Sequence, residues 1–277
     1  MLTEEQQAVI EASKVLQLRE LLKIEACAGS GKTFTLQQAA EANPDKRFLY
    51  LAFNKAIVEE AKRRFPPNVE ISTVHSLAWR WFAAVYGRQA LKNLKGSYNV
   101  FDLRQLFNVE YAELTDLIAK FRAFCYSAAA EPTDRGVGEI FDAIKAGKLP
   151  PTHDFYLKLY QIECGNRFKE YDYVLLDEAQ DTNPVTMALF ADNNCRKILV
   201  GDSHQAIYAF RGAVNALEKA PADITLNLSY SFRSVQPILD RANFFLQSLS
   251  VDKEHFIPMK SMVKSVRKIV SRCAITR

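Results

Sequence analysis

The sequence predicts an α/β protein: a mostly parallel sheet covered by helices on both faces and interrupted by a helical insert. Three observations predict it. Up to about residue 86, short apolar runs alternate with stretches of helical spacing. A glycine-rich turn, Ala26-Cys27-Ala28-Gly29-Ser30-Gly31-Lys32-Thr33, joins the first of these runs to a helix. Two later apolar runs, 173–176 and 198–201, lead straight into acidic residues.

Residues 2–16 have Thr3 as an N-cap, acids in the first turn, and apolar Val9, Ile10, Val15 and Leu16 behind them, the pattern of an amphipathic helix. Leu22, Ile24 and Ala26 form the first strand. After the glycine-rich turn come a helix over 34–42, a turn at Asn43-Pro44-Asp45 and a strand over 47–53. Asn54 and Lys55 open a helix that Pro66 and Pro67 close; 69–73 is the next strand and 76–86 the next helix. Between 87 and 168 apolar residues recur at helical spacing, as in Leu103, Leu106, Phe107 and Leu114, Leu117, Ile118, Phe121, with breaks at 136–138 and 149–152. Strands resume at 173–178, 198–202 and 224–228, and a helix runs from Pro237 towards Leu249.

With 277 residues, 48% hydrophobic and 25% charged, the composition is that of a globular intracellular protein with ample core. No apolar stretch reaches the length of a membrane helix, and residues 1–11 are too polar for a secretion signal. The five cysteines are odd in number and show no C-x-x-C spacing, which points to reduced thiols, not zinc ligands or disulfides. The net charge of +4 is local in origin: six basic and no acidic residues fall within 260–277, and the remainder is near neutral with 30 basic against 32 acidic. Those basic residues alternate with Val263, Val266 and Val270 as a basic amphipathic helix, whose plainest reading is a solvated helix end.

A glycine-rich turn feeding a helix N-terminus aims backbone N–H groups and the positive end of the helix dipole at one point, where a polyphosphate is held. In the pattern G-x-x-x-x-G-K-[ST] the lysine, here Lys32, reaches the terminal phosphates, and the hydroxyl, here Thr33, ligates Mg²⁺. Ala26 stands where the pattern has its first glycine. Cys27 reads as a small buried filler more readily than as an activated thiol. With such a loop upstream, the strand-end acids Asp177 and Glu178 take paired roles: the first holds Mg²⁺ and the second polarises a water. Two solvated acids are the plain alternative. Gln205, just past another strand end, lies where α/β sheets bind ligands. Tyr208, Phe210 and Arg211 place two aromatics beside a guanidinium, a grouping suited to stacking on unpaired bases, although core aromatics with a surface arginine are commoner for such a stretch alone.

Taken in order, these motifs resemble those of the superfamily 1 DNA helicases of the UvrD/Rep type, most of all the branch that includes the F-box DNA helicases, although no F-box is evident. The resemblance covers roughly residues 1–240. Residues 2–9 with Gln6 are similar to the Q motif, whose glutamine reads adenine. Residues 26–33 resemble motif I, in which alanine is often accepted at the first position, so Ala28, Gly29, Ser30, Gly31, Lys32 and Thr33 are implied to cradle the phosphates. Ala52-Phe53-Asn54-Lys55-Ala56 is similar to motif Ia, and 72–78 with His75 to the T-x-H-S-L-A segment, both implied to line a single-strand path through Phe53, Asn54 and His75. Residues 177–181 match motif II, and 201–213 motif III, which implies that Gln205 senses the γ-phosphate and that Tyr208, Phe210 and Arg211 contact DNA. Residues 228–234 resemble motif IV, implying that Phe232 packs on adenine and Arg233 acts as an arginine finger.

The resemblance implies a P-loop, RecA-like ATP-binding domain over 1–86 and 169–225, an inserted helical subdomain over 87–168, and over 226–277 only the start of a second motor domain plus the basic tail. It implies ATP and Mg²⁺ as cofactors and single-stranded DNA, or a single/double-strand junction, as partner, with no membrane. The expected activity is ATP-dependent DNA unwinding in repair or recombination, in the cytoplasm: on the nucleoid if bacterial, in the nucleus if eukaryotic. No motif V or VI is recognisable, so the chain is expected not to translocate alone. A separately encoded C-terminal half is one implied protein partner, and a truncated remnant that binds ATP or single-stranded DNA without unwinding is the alternative. A P-loop kinase is disfavoured because nothing at 208–212 or at Phe232-Arg233 suggests a lid over an acceptor substrate.

Overall fold

The computed structural model describes residues 2–165, 167–205, 217, 220–249 and 256–263. Helix α1 (Glu4–Val15) precedes strand β1 (Leu21–Ala26), and then come α2 (Lys32–Glu41), β2 (Phe48–Ala52), α3 (Lys55–Ala61), β3 (Val69–Thr73) and α4 (Val74–Tyr86). The insert follows as α5 (Val100–Leu103), α6 (Tyr111–Tyr126), α7 (Arg135–Lys145) and α8 (His153–Glu163). The sheet resumes with β4 (Tyr173–Leu176), α9 (Pro184–Ala191), β5 (Arg196–Gly201) and β6 (Ile224–Leu228). Beyond it lie β7 (Tyr230–Ser231), α10 (Gln236–Leu249) and β8 (Lys260–Ser261).

The six strands run β3-β2-β4-β5-β1-β6, and every pairing is parallel. Covered on both faces, they read as continuous apolar runs: all five residues of β2 are buried. The side-chain period of two assigns them to separate cores. Phe48 and Tyr50 join Val9, Leu16, Leu36, Leu175 and Ile198 on one face. Leu49 and Leu51 join Val174, Leu176 and Leu199 on the other, together with α4, α9 and the insert residues Phe121, Phe141, Phe155 and Leu159. The insert is therefore continuous with the core of that face.

Two expectations change. The boundary at 225/226 falls inside β6, which pairs in parallel with β1 through Leu22↔Ile224, Ile24↔Leu226 and Ala26↔Leu228. The sheet thus extends to Leu228, because the alternating apolar residues of 224–228 complete the β1 edge. The glycines at 136–138, expected as a break, lie in the first turns of α7 instead. Asp134 caps that helix, accepting from the amides of Gly136 and Val137 at 2.9 and 3.3 Å. A Cβ on Gly136 would come within 2.8 Å of Leu117 Cδ1, so the helix gives up intrinsic propensity to approach α6 closely. The basic tail from 264 onward, with Tyr208, Phe210 and Arg211, lies outside the described residues.

One buried charge sits in the insert. Lys158 is fully buried; its ammonium donates to Ser127 O at 3.0 Å, to Ala129 O and to Gln161 Oε1 at 2.7 Å, and lies 4.5 Å from the Phe124 ring centroid. Burial lowers its pKa to about 8. An unfolded lysine titrates near 10.4, so between about pH 8 and 10 the unfolded chain holds the proton that the folded chain sheds. The destabilisation is complete below the folded value and is relieved as pH rises, by at most about 1.4 kcal/mol per pH unit. We expect the melting temperature of Lys158→Met to rise less, or fall more, than wild type between pH 8 and 10. Parallel profiles would refute this.

Candidate nucleotide site at the carboxyl ends of the strands

All six strands of the sheet point their carboxyl ends at one rim, and each sequence-predicted site residue within the described chain, except Gln6 of α1, lies on that rim. Its centre is the turn between β1 and α2. Gly29 and Gly31 adopt φ of +74° and +82°, which only glycine takes without strain. Gly31 is the N-cap of α2 and supplies no side-chain cap, so the first-turn amides face outward as an anion cradle. Ser30 Oγ is buried and has no hydrogen-bond partner, a donor available to a ligand.

The turn is clamped from both sides. Thr3 and Gln6 form a capping box at the start of α1, and Gln6, buried to 2% exposure, also donates from Nε2 to Ser30 O at 3.4 Å. From the other side the amide of Phe232 donates to Gly29 O at 2.9 Å, and Ser231 Oγ donates to Ala28 O at 2.8 Å. Ser229 ties this segment to α1 through Glu5, at 2.6 Å from its amide and 2.5 Å from its hydroxyl. Phe232 approaches Gly31, and a Cβ on Gly29 would collide with Arg233 Cβ. Gly29→Ala is accordingly expected to cost about 1–3 kcal/mol of stability from strain at positive φ and to weaken nucleotide binding; denaturant melts and a nucleotide titration check both.

Facing the turn, β4 ends in Asp177 and Glu178. Asp177 Oδ2 accepts from Thr33 Oγ1 at 3.0 Å and from the Tyr50 hydroxyl at 2.7 Å, while Oδ1 accepts from the Glu178 amide at 2.9 Å. Burial, reinforced by the neighbouring Glu178 charge, holds the Asp177 carboxyl above the usual range, a cost that a bound cation would offset. Burial and the same carboxylate push the Tyr50 hydroxyl far above its usual value, so it stays a donor. Glu178 takes the left-handed conformation, φ +51°, an uncommon one for a side chain of its size. Its Oε2 lies 3.5 Å from Lys32 Nζ and accepts from Gln180 Nε2 at 2.8 Å.

Past β5, Asp202 Oδ2 accepts from Gln205 Nε2 at 2.5 Å, and Oδ1 from the His204 amide at 3.1 Å. Burial alone would raise the Asp202 pKa, but the bonds from His204 and Gln205 outweigh it and hold the carboxyl low. Cys27 has its thiol pushed up to about 11, by burial first and by Asp202 and Glu5 next, which keeps it protonated near neutral pH.

The structure thus brings together Gln6, residues 28–33, Asp177, Glu178, Phe232 and Arg233, with Gln205 attached through Asp202 and Gln180. Phe53, Asn54 and His75 lie farther along the rim. Phe53 is 45% exposed at the end of β2, and Asn54 caps α3, accepting from the Ile57 amide at 3.0 Å. His75 sits in the first turn of α4 with its ring edge-on to Tyr156; burial lowers its pKa, so the imidazole is neutral near pH 7. Tyr50, Glu5, Gln180 and Asp202 were not among the sequence candidates. Tyr50 carried a signal: a hydroxyl within an otherwise apolar buried strand needs a partner.

Residues 155–221 match the family model described as the UvrD/REP helicase N-terminal domain. Over 88% of its length the chain is 33% identical to F-box DNA helicase protein 1 of Schizosaccharomyces pombe, and over 84% it is 32% identical to F-box DNA helicase 1 of Gallus gallus. The chain belongs to the superfamily 1 helicases of the UvrD/Rep type. As a member of that family it spans 33% of the length of the S. pombe relative and 26% of the chicken one. The Pif1 helicase of Candida albicans aligns over all of this chain and 55% of its own, at 15% identity and a TM-score of 0.39, a likeness too slight to carry any argument. Among the described residues no helix is long and apolar enough to cross a membrane.

Proposed function

We propose that this chain is the ATP-binding portion of an ATP-dependent DNA helicase, coupling nucleotide hydrolysis to a grip on single-stranded DNA. The observation that supports this most is the meeting of Thr33 and Asp177 at 3.0 Å beside the Lys32–Glu178 pair, at the mouth of an uncapped helix N-terminus. The buried, unpartnered Ser30 hydroxyl and the glycine cradle fit a polyphosphate.

In this reading the amides of 28–33 and Lys32 bind the phosphates, and Gln6 and Phe232 flank the adenine from opposite sides of the turn. Thr33 and Asp177 hold Mg²⁺, which when bound neutralises phosphate charge. Glu178 accepts the proton of the attacking water, Gln205 reports on the γ-phosphate, and exposed Arg233, with its Cβ against Gly29, reaches the same phosphate. The rim from Phe53 and Asn54 through His75 takes the unpaired strand, a role in which Tyr208, Phe210 and Arg211 share by their residue types alone.

The test is steady-state ATP hydrolysis with and without a single-stranded oligonucleotide, beside equilibrium titration of an Mg²⁺–nucleotide. Nucleotide binding that depends on Mg²⁺, and turnover that rises with DNA, is the expected result. No nucleotide binding at saturating Mg²⁺ would sink the reading. Binding of nucleotide and DNA without turnover would leave a binding module.

A further inference from the structure

Gln180 occupies a position that none of the roles above uses. It lies in the short 3₁₀ turn Ala179–Asp181 after β4, with 3% of its surface exposed, and both ends of its amide are engaged across two strands. Nε2 donates to Glu178 Oε2 at 2.8 Å; Oε1 accepts from the Asp202 amide at 3.1 Å. Asp202 in turn accepts from Gln205 Nε2 and from the His204 amide. One buried side chain therefore links the acid at the phosphate cradle to the segment carrying Gln205.

The surroundings are shaped to this side chain. A Cβ on Gly201 would collide with Gln180 Oε1, so the end of β5 leaves room for the amide where any larger residue would displace it. On the other side, Glu178 Oε2 is shared: Gln180 holds it at 2.8 Å, while Lys32 lies 3.5 Å away and faces the cradle. A phosphate that draws Lys32 towards itself removes the cation from that oxygen, and a water positioned by Glu178 competes for the same lone pairs. Either event changes the bond that Gln180 donates, and the rigid amide transmits the change to the Asp202 amide.

We propose that Gln180 is the positioning residue that conveys the state of the phosphate cradle from Glu178 to Asp202 and Gln205. The proposal rests on the nucleotide-site reading above and adds to it the physical link between hydrolysis and the DNA-facing segment. Stated thermodynamically, nucleotide and DNA affinities are coupled through this amide, so removing it lowers the coupling without removing either site.

The experiment uses the full chain, a non-hydrolysable ATP analogue with Mg²⁺, and a labelled oligothymidylate. Hydrogen exchange is followed in peptides covering 27–33 and 199–205, and DNA affinity is measured with and without the analogue. In the wild type we expect protection changes in both peptides and a nucleotide-dependent shift in DNA affinity of about fivefold or more. Gln180→Met, of similar volume but without the amide, should bind the analogue and protect 27–33 as wild type does, yet lose the response at 199–205 and bring the affinity shift close to unity. Gln180→Glu keeps an acceptor for Asp202 and sets a like charge against Glu178; it is expected to show the same loss and stands in should the Met variant fold poorly. A variant that responds as wild type overturns the proposal. So does a wild type that binds the analogue without any change at 199–205, which would leave the nucleotide-site reading intact. A wild type that binds no nucleotide overturns both.

Discussion

Lys32→Ala is expected to lower nucleotide affinity by about a hundredfold, the upper range for losing hydrogen bonds to a charged group. The side chain is only 12% exposed, lies 3.5 Å from Glu178 and is one of the charges that lower the Asp177 pKa. Its removal costs twice: the phosphates lose a donor, and two carboxylates are left facing each other and the ligand without compensation. Equilibrium titration with a fluorescent Mg²⁺–nucleotide measures the change. An affinity unaltered by the substitution would mean that the turn binds something other than polyphosphate.

Glu178→Gln is expected to act on turnover and not on binding. Removing a general base typically costs about 10²–10⁴ in rate, whereas the isosteric amide leaves the amides of the turn, Lys32 and Asp177 in place. It also takes away the neighbouring charge that helps to raise the Asp177 pKa, so the carboxylate proposed to hold the metal ionises more readily. We therefore expect kcat to fall by at least about a hundredfold with KM for nucleotide unchanged or lower. Single-turnover hydrolysis beside equilibrium binding separates the two effects. A parallel loss of affinity would reassign Glu178 to ligand binding.

The features legible in the sequence are those written in local pattern. Apolar runs of four to six residues in alternation with helices announced the parallel sheet, because strands buried on both faces cannot be polar on either. Gly29 and Gly31 announced a turn needing positive φ, and the acids at 177 and 178 ended an apolar strand. Where an expectation changed, a tertiary contact won: the 225/226 boundary gave way to the pairing of β6 with β1, and the break expected at 136–138 to a helix in which Gly136 closely approaches Leu117. Neither partner can be seen from the segment alone.

The sequence by itself determined the order of elements, the glycine-rich turn and the helical spacing of the insert, since each follows from the period of apolar side chains or from the backbone needs of single residues. Only the tertiary structure decided that the hydroxyls of Thr33 and Tyr50 converge on Asp177, that Ser229 and Phe232 close the turn against α1, and that Gln180 spans from Glu178 to Asp202. These contacts join residues up to 224 positions apart. They exist because parallel strands whose neighbours in the sheet are distant in sequence deliver all their carboxyl ends to one rim, where buried polar groups must find partners.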